Sequence, residues 1–329
     1  VAAGRRRKGL VLGIGVALVL VAIFTVRLDW SEFRRTIAEV RWWWIAAGFT
    51  ALLLTITVRG ARWLAISGAR GSASTAYLSA TVVGYVGNAL YPGRAGEVLR
   101  VAALHHAIRV PPGEALASAF MDRMADVVAL TLATLYVLAF VARESLGRGV
   151  VVSVVAVAAA FLCAFVAVAT LGARLHPIVA RGAARLPGRW SERVPRWYLQ
   201  AVATCRGLAA PRRLAATVLL TAFAFFLDYC ALWLMLRAFD WSLPVQAAMT
   251  VGVFLAIGTL LPAAPGYVGI YQVACVLALK WYGISESAAL AYSVVAQGAT
   301  LLAIFALGAV VALRYGIGLR AGNDPHRTS

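Results

Sequence analysis

Several ionisable residues stand where an apolar chain offers them little water. Arg94, Glu97 and Arg100 follow a break at Tyr91-Pro92-Gly93, and Asp122, Arg123 and Asp126 lie inside the apolar run 115–141. The first three are spaced i, i+3, i+6, close to one face of a helix, and Asp122 and Asp126 share a face at i, i+4. Counted from Ala115, Asp126 lies roughly 17 Å along its helix. A charge at that depth of a membrane costs at least ~2.5–3.5 kcal/mol on insertion scales, so it needs a partner or water. Arg94, Glu97 and Arg100 are the natural partners. Arginine's planar fork takes phosphate or carboxylate oxygens in pairs. One reading is a polar pocket in which arginines hold a lipid phosphate, while the carboxylates orient them, accept a cationic headgroup or carry a coupling proton. The other is a buried ion-pair network that locks two helices together.

The elements that must position these residues are helices with breaks. Proline lacks an N–H and clashes with the preceding turn, so a helix ends before Pro92. Glycine lets the chain reverse or approach closely. Such a break is tolerated at membrane depth only against protein or a wet cavity. A second break, Leu261-Pro262-Ala263-Ala264-Pro265-Gly266, interrupts the uncharged stretch 242–279. Asn88–Gly96 and Gly258–Gly266 share the spacing L-x-P-x-x-x-G, and each is followed by an apolar helix. Asn88 and Gln272 flank the breaks, where they cap freed backbone groups or touch ligand. Asp228 is a lone carboxylate in another apolar run, with function and plain packing both open. Pro262, Pro265, Gly266, Tyr267, Gly269 and Gln272, with Asp228, form the candidate second half-site.

Composition sets the class. The chain has 329 residues, 62% of them hydrophobic, and a mean hydropathy of +0.83. Several uncharged segments are long enough to cross ~30 Å of hydrocarbon as a helix. The expected fold is an all-α polytopic membrane protein, a single integral domain over 1–329. The net charge of +18 is mostly arginine in short loops, which reads as a topology signal and an affinity for anionic headgroups rather than for nucleic acid. Cysteine and histidine spacings match no metal site or disulfide framework. No metal, cofactor or nucleotide-binding motif is expected.

Taken in order, the full spans fall at 10–26 (uncleaved), 42–58, 115–141, 149–173, 214–236 and 287–313, with the broken hairpins at 73–108 and 242–279. Residues 29–41 read as an amphipathic piece on the membrane surface. Arg59, Arg62 and Arg70 are placed in a short loop after the second span, and 174–213 in a long basic cytoplasmic loop. The tail 323–329 reads as disordered. With the N-terminus inside and each broken stretch a re-entrant hairpin, every strongly basic loop falls on the cytoplasmic side. Both termini are then cytoplasmic, in a plasma-membrane protein. The two hairpins enter from opposite sides, as an inverted repeat requires, with repeats at about 42–142 and 212–314; proteins so built hold their substrate near the midplane. Each hairpin arm is nearly long enough to cross fully, which leaves two complete spans as the alternative.

At these residues the sequence resembles the lysylphosphatidylglycerol synthase transmembrane-domain family. The motifs are N-x-x-x-P-x-R-x-G-E-x-x-R (Asn88–Arg100), D-R-x-x-D (Asp122–Asp126) and P-x-x-P-G-Y-x-G (Pro262–Gly269). The resemblance implies an integral membrane protein that moves or handles anionic lipids, often a flippase for aminoacylated phosphatidylglycerol. Family members often carry a glutamate where Gln272 stands. No synthase domain is seen after the sixth span, so lipid aminoacylation is not expected. The function expected is a transporter-like flippase for anionic phospho- or polyprenyl-phosphate lipids, more than an enzyme. The alternatives are a polyprenyl-phosphate-dependent glycosyltransferase and a non-catalytic partner of a lipid-modifying enzyme. The oligomeric state is not legible.

Overall fold

The computed structural model describes residues 29–91, 94–141, 174–259 and 264–315, and isolated positions 156, 159, 160, 163 and 170–172. The expected span 10–26, most of 149–173, Pro92, Gly93, Pro262 and the tail lie outside the described residues. Among the described residues, all regular structure is helical. The named helices are α1 Trp30–Ala38, α2 Trp42–Ser67, α3 Ser74–Leu90, α4 Gly96–Ile108, α5 Pro112–Phe140, α6 Trp190–Leu208, α7 Pro211–Arg237, α8 Val245–Gly258, α9 Ile270–Lys280 and α10 Glu286–Arg314.

Helices α2, α5, α7 and α10 are 26 to 29 residues long and apolar enough to cross a bilayer. They are the four expected full spans that fall among the described residues. The breaks come where proline and glycine put them. Helices α3 and α4, of 17 and 13 residues, form the first hairpin, and α8 and α9, of 14 and 11, the second. At about 1.5 Å per residue these arms are shorter than the four long spans, and each pair is a helix–break–helix unit.

Both breaks are closed by their own side chains. Helix α3 ends at Leu90, Tyr91 is extended, and Arg94 takes a positive φ of 57° before α4 restarts at Gly96. The Gly96 N–H donates to Asn88 Oδ1 at 2.9 Å. In the second break Pro265–Tyr267 make a 3-10 turn and the Gly269 N–H donates to Gln272 Oε1 at 2.7 Å. Gln272 Nε2 donates to Gln297 Oε1, and Gln297 Nε2 to the Gly266 carbonyl. Asn88 and Gln272 therefore act as caps, satisfying backbone groups that hydrocarbon would leave bare.

The arms of the first hairpin touch backbone to backbone. A Cβ on Gly96 would stand 1.9 Å from the Gly84 carbonyl oxygen and 2.7 Å from the Asn88 nitrogen. Gly96→Ala is expected to push the arms apart and cost about 1–3 kcal/mol, the range for overpacking, or more because backbone must give. A lower melting temperature in detergent for Gly96→Ala, against little change for Gly71→Ala, checks this; a Cβ on Gly71 meets nothing within 4 Å.

Helix α2 runs down the middle, with α7 packed along one side and α3 along another. Gly48 lets α2 close on Met235 and Ala231 of α7, and Gly60 lets it close on Leu78 of α3. A large apolar core joins the start of α2 and the end of α7 to α8, α9 and α10 through Ile45, Leu236, Val251, Leu279 and Tyr292. A smaller one, with Trp63, Tyr77 and Leu104, joins α2 to the first hairpin and α5. The turn of the second hairpin packs on α3, with Gly266 near the Ala89 carbonyl.

Three expectations are corrected. Helix α2 does not stop near Val58; it continues to Ser67 and ends in a left-handed Gly68, whose N–H bonds the Leu64 carbonyl. Arg59 and Arg62 are therefore helical and interior, and only Arg70 is an exposed cation of that turn. The stretch 174–213 is not a loop: residues 174–183 and α6 are helical, and α6 packs on α5. Helix α1 has its apolar side against the protein, with Phe33 and Ile37 on the core and Val40 buried within it. Its cap, Asp29, accepts from the Ser31 hydroxyl and the Ser31 and Glu32 amides, bonds that lower its pKa below the usual carboxylate value and keep it charged at neutral pH.

Candidate functional site

Among the described residues, the buried charges collect at one place, where α2, α4, α5 and α7 meet. From α5, Asp122 and Asp126 point towards α2. Arg62 Nε donates to Asp122 Oδ1 at 2.8 Å, and its Nη1 lies 2.8 Å from Asp126 Oδ1. One guanidinium thus bridges the two carboxylates that helical spacing puts one turn apart. Arg59, one turn earlier on α2, donates from Nη1 to Asp126 at 2.7 Å and from Nη2 to Asp228 of α7 at 2.6 Å. Arg100 of α4 reaches Asp122 Oδ2 at 2.9 Å and the Ala119 carbonyl at 3.0 Å, with its guanidinium over the Trp63 ring. Arg123 donates to Asp126 Oδ2 at 2.9 Å and to Asp122 Oδ2 at 3.4 Å. Glu97 Oε2 lies 2.9 Å from Arg100 Nε and 3.3 Å from Arg123 Nε.

Four arginines and four carboxylates make a cluster of zero formal charge. Neutrality lets it sit in low dielectric, where an unpaired ion would cost several kcal/mol. At about 1.5 Å per residue, Arg59 and Arg62 stand roughly 12 and 8 Å from the C-terminal end of α2. The cluster is not sealed evenly. The side chains of Arg62, Arg100 and Asp122 are 0–2% exposed, whereas Arg123, Glu97 and Asp228 are 33%, 30% and 28% exposed. Its sealed members make up a floor and its part-exposed members a rim.

The expected site residues divide accordingly. Glu97, Arg100, Asp122, Arg123 and Asp126 are brought together, and Asp228 joins them through Arg59. Asn88 sits at the break as a cap. Arg94 is exposed on the connector and pairs with no carboxylate among the described residues. Among the described residues, no hydrogen bond or ion pair links Pro265, Gly266, Tyr267, Gly269 or Gln272 to the cluster, and the second break brings no charge to it. The ions come from one broken helix and three spans rather than from two broken helices. Arg59 and Arg62 were missed. Their signal was present: an i, i+3 pair complementary to Asp122 and Asp126, in an apolar pattern that runs on through Trp63, Leu64 and Ile66 to Gly68. A Gly just past the last periodic residue is the usual helix stop.

Long apolar helices, two broken hairpins and a fixed ion cluster within the span define a polytopic α-helical membrane protein with a polar interior site. Residues 10–308 match the family described as the lysylphosphatidylglycerol synthase TM region, and the chain belongs to that family. No curated protein and no solved structure matches it. The membership supports a membrane location and a lipid-related role.

Proposed function

We propose that the protein handles anionic membrane lipids as a flippase-like transporter, with the headgroup taken at the open rim of the ion cluster. The observation that carries this is the graded exposure. A network serving only to hold helices gains nothing from leaving Arg123, Glu97 and Asp228 part exposed, because ions facing hydrocarbon are costly and ions facing water mark a path. Arginine suits a phosphodiester, since its fork meets two oxygens at once. The N-terminal amides of α4 are already spent on Asn88, Arg94 and Ala95, so side chains and not backbone must hold an anion here. The floor of the cluster supports a second role alongside the first: it ties α2, α4, α5 and α7 and fixes the rim in place. An arrangement as an inverted repeat, a plasma-membrane location and cytoplasmic termini belong to the same reading.

Reconstitution tests it. In vesicles of phosphatidylcholine with phosphatidylglycerol, protein is expected to make inner-leaflet fluorescent phosphatidylglycerol accessible to an external quencher, and to do so faster than for a zwitterionic label. Equal rates with and without protein would reject the reading.

A further inference from the structure

Two buried donors of the cluster converge on one acceptor without bonding it well. Arg100 uses its two terminal nitrogens on Asp122 and the Ala119 carbonyl, and Arg123 uses its own on Asp126 and Asp122. That leaves one nitrogen each. Both Nε atoms are buried and have no hydrogen-bond partner among the described residues. Each lies at ion-pair distance from the same Glu97 oxygen, 2.9 and 3.3 Å, but outside hydrogen-bonding geometry. Buried donors left unmade cost about 1–3 kcal/mol, more on a charged group. Glu97 is therefore the most weakly held of these carboxylates: part exposed, satisfied by charge alone, and carried on the first turn after the break. Asp122, by contrast, is sealed and accepts from three arginines.

We infer that Glu97 is an exchangeable occupant of this niche, and that a phosphate or phosphodiester anion displaces its carboxylate to accept from Nε of Arg100 and Arg123. This deepens the proposed function and rests on it for the identity of the anion. Charge decides why displacement is needed. The cluster is neutral with Glu97 in place, so an added anion would leave an uncompensated negative charge in the interior; exchanging one anion for another keeps the balance. A tetrahedral anion also offers oxygens in several directions, where the planar carboxylate presents one oxygen to two diverging donors. Moving Glu97 outwards costs little, because its chain already reaches the rim. The niche selects for negative charge: a zwitterionic lipid brings a cation that the arginines repel, unless Glu97, once displaced, receives it.

The test is binding, read apart from transport. Full-length protein in detergent micelles is given phosphatidylglycerol, and retained lipid is measured by native mass spectrometry against the wild-type chain. Glu97→Gln keeps the shape and removes the competing charge; it is expected to retain phosphatidylglycerol about tenfold more strongly. Arg123→Gln is expected to lose the retention. Glu97→Asp, one methylene shorter, draws the charge back and is expected to fall between wild type and Glu97→Gln; it carries the test if Glu97→Gln does not fold. Competition by inorganic phosphate at millimolar concentration supports the exchange with phosphate itself as the determinant. Retention that inorganic phosphate leaves unchanged supports it with the lipid required. Glu97 variants that bind phosphatidylglycerol and inorganic phosphate no better than wild type would overturn it. Tighter binding in Glu97→Gln with no leaflet exchange by the wild type would sink the transport reading and leave this one standing. Leaflet exchange by the wild type with unaltered binding in the variants would do the reverse.

Discussion

An Arg62→Ala variant is expected to accumulate poorly in the membrane and to melt far below the wild type. Arg62 is fully buried and touches both Asp122 and Asp126, with a further long contact from Nη1 to the Thr221 hydroxyl at 3.4 Å. Truncation leaves the two carboxylates short of a counter-charge and opens a void behind them. Breaking a buried ion pair by removing one partner costs about 3–5 kcal/mol. A typical domain has only about 5–15 kcal/mol to lose. Arg62→Lys keeps the charge but not the fork, and one ammonium cannot lie in line with both aspartates; it is expected to recover part of the loss. Arg94→Ala is the contrast, an exposed arginine without an ion-pair partner among the described residues, and should melt within about 0.5 kcal/mol of wild type. Thermal unfolding in detergent ranks the three. Equal melting of Arg62→Ala and Arg94→Ala would show that the buried cluster does not hold the bundle.

Asp122→Asn is expected to be nearly as damaging, for the opposite reason. Asp122 accepts from Arg62, Arg100 and Arg123, so neutralising it leaves one positive charge too many beside the sealed Arg62 and Arg100. The amide also brings a donor to face arginine donors. The expected cost is again about 3–5 kcal/mol. The pair is more telling than either member. Combining Arg62→Gln with Asp122→Asn restores neutrality, with three cations against three carboxylates left from the four of each. The double variant should then be less destabilised than the sum of its singles, with a coupling of about 0.5–3 kcal/mol, the range for residues in one network. Strict additivity would mean that the two groups act separately.

Much of this was legible from residue types. Pro92 with Gly93 and the Leu261–Gly266 run announced the breaks, because a missing N–H and a free φ act locally and need no tertiary context. The caps were half legible: Asn88 and Gln272 stood where freed backbone groups would need acceptors, but only folding shows that Gln272 answers Gly269 and Gln297. Asp122 and Asp126 announced a buried polar site by cost alone. What was not legible was which arginines meet them. Arg94 lies nearer in sequence to the break, but its left-handed backbone leaves it outside. Arg59 and Arg62 looked like a charged loop because an arginine is the ordinary sign that a membrane helix has ended; here the charges belong to the helix and their partners lie on α5 and α7. The basic stretch 174–213 misled in the same direction, since most of it is helical, with Arg174, Arg181, Arg193 and Arg196 on exposed helix positions and only Arg185 and Arg189 in the turn between helices. Charge read along one chain reports depth poorly when the compensating charge is far away in sequence.

The cluster's rim is the claim on which the account turns, and Arg123 is the residue that separates a pocket from a lock. Its side chain is the most exposed of the four cluster arginines, and Arg62 already anchors the same two aspartates beneath it. In phosphatidylcholine–phosphatidylglycerol vesicles, Arg123→Gln at a melting temperature close to wild type is expected to slow leaflet exchange of labelled phosphatidylglycerol by at least about tenfold. Exchange at the wild-type rate by a folded Arg123→Gln protein would mean that no headgroup passes this rim.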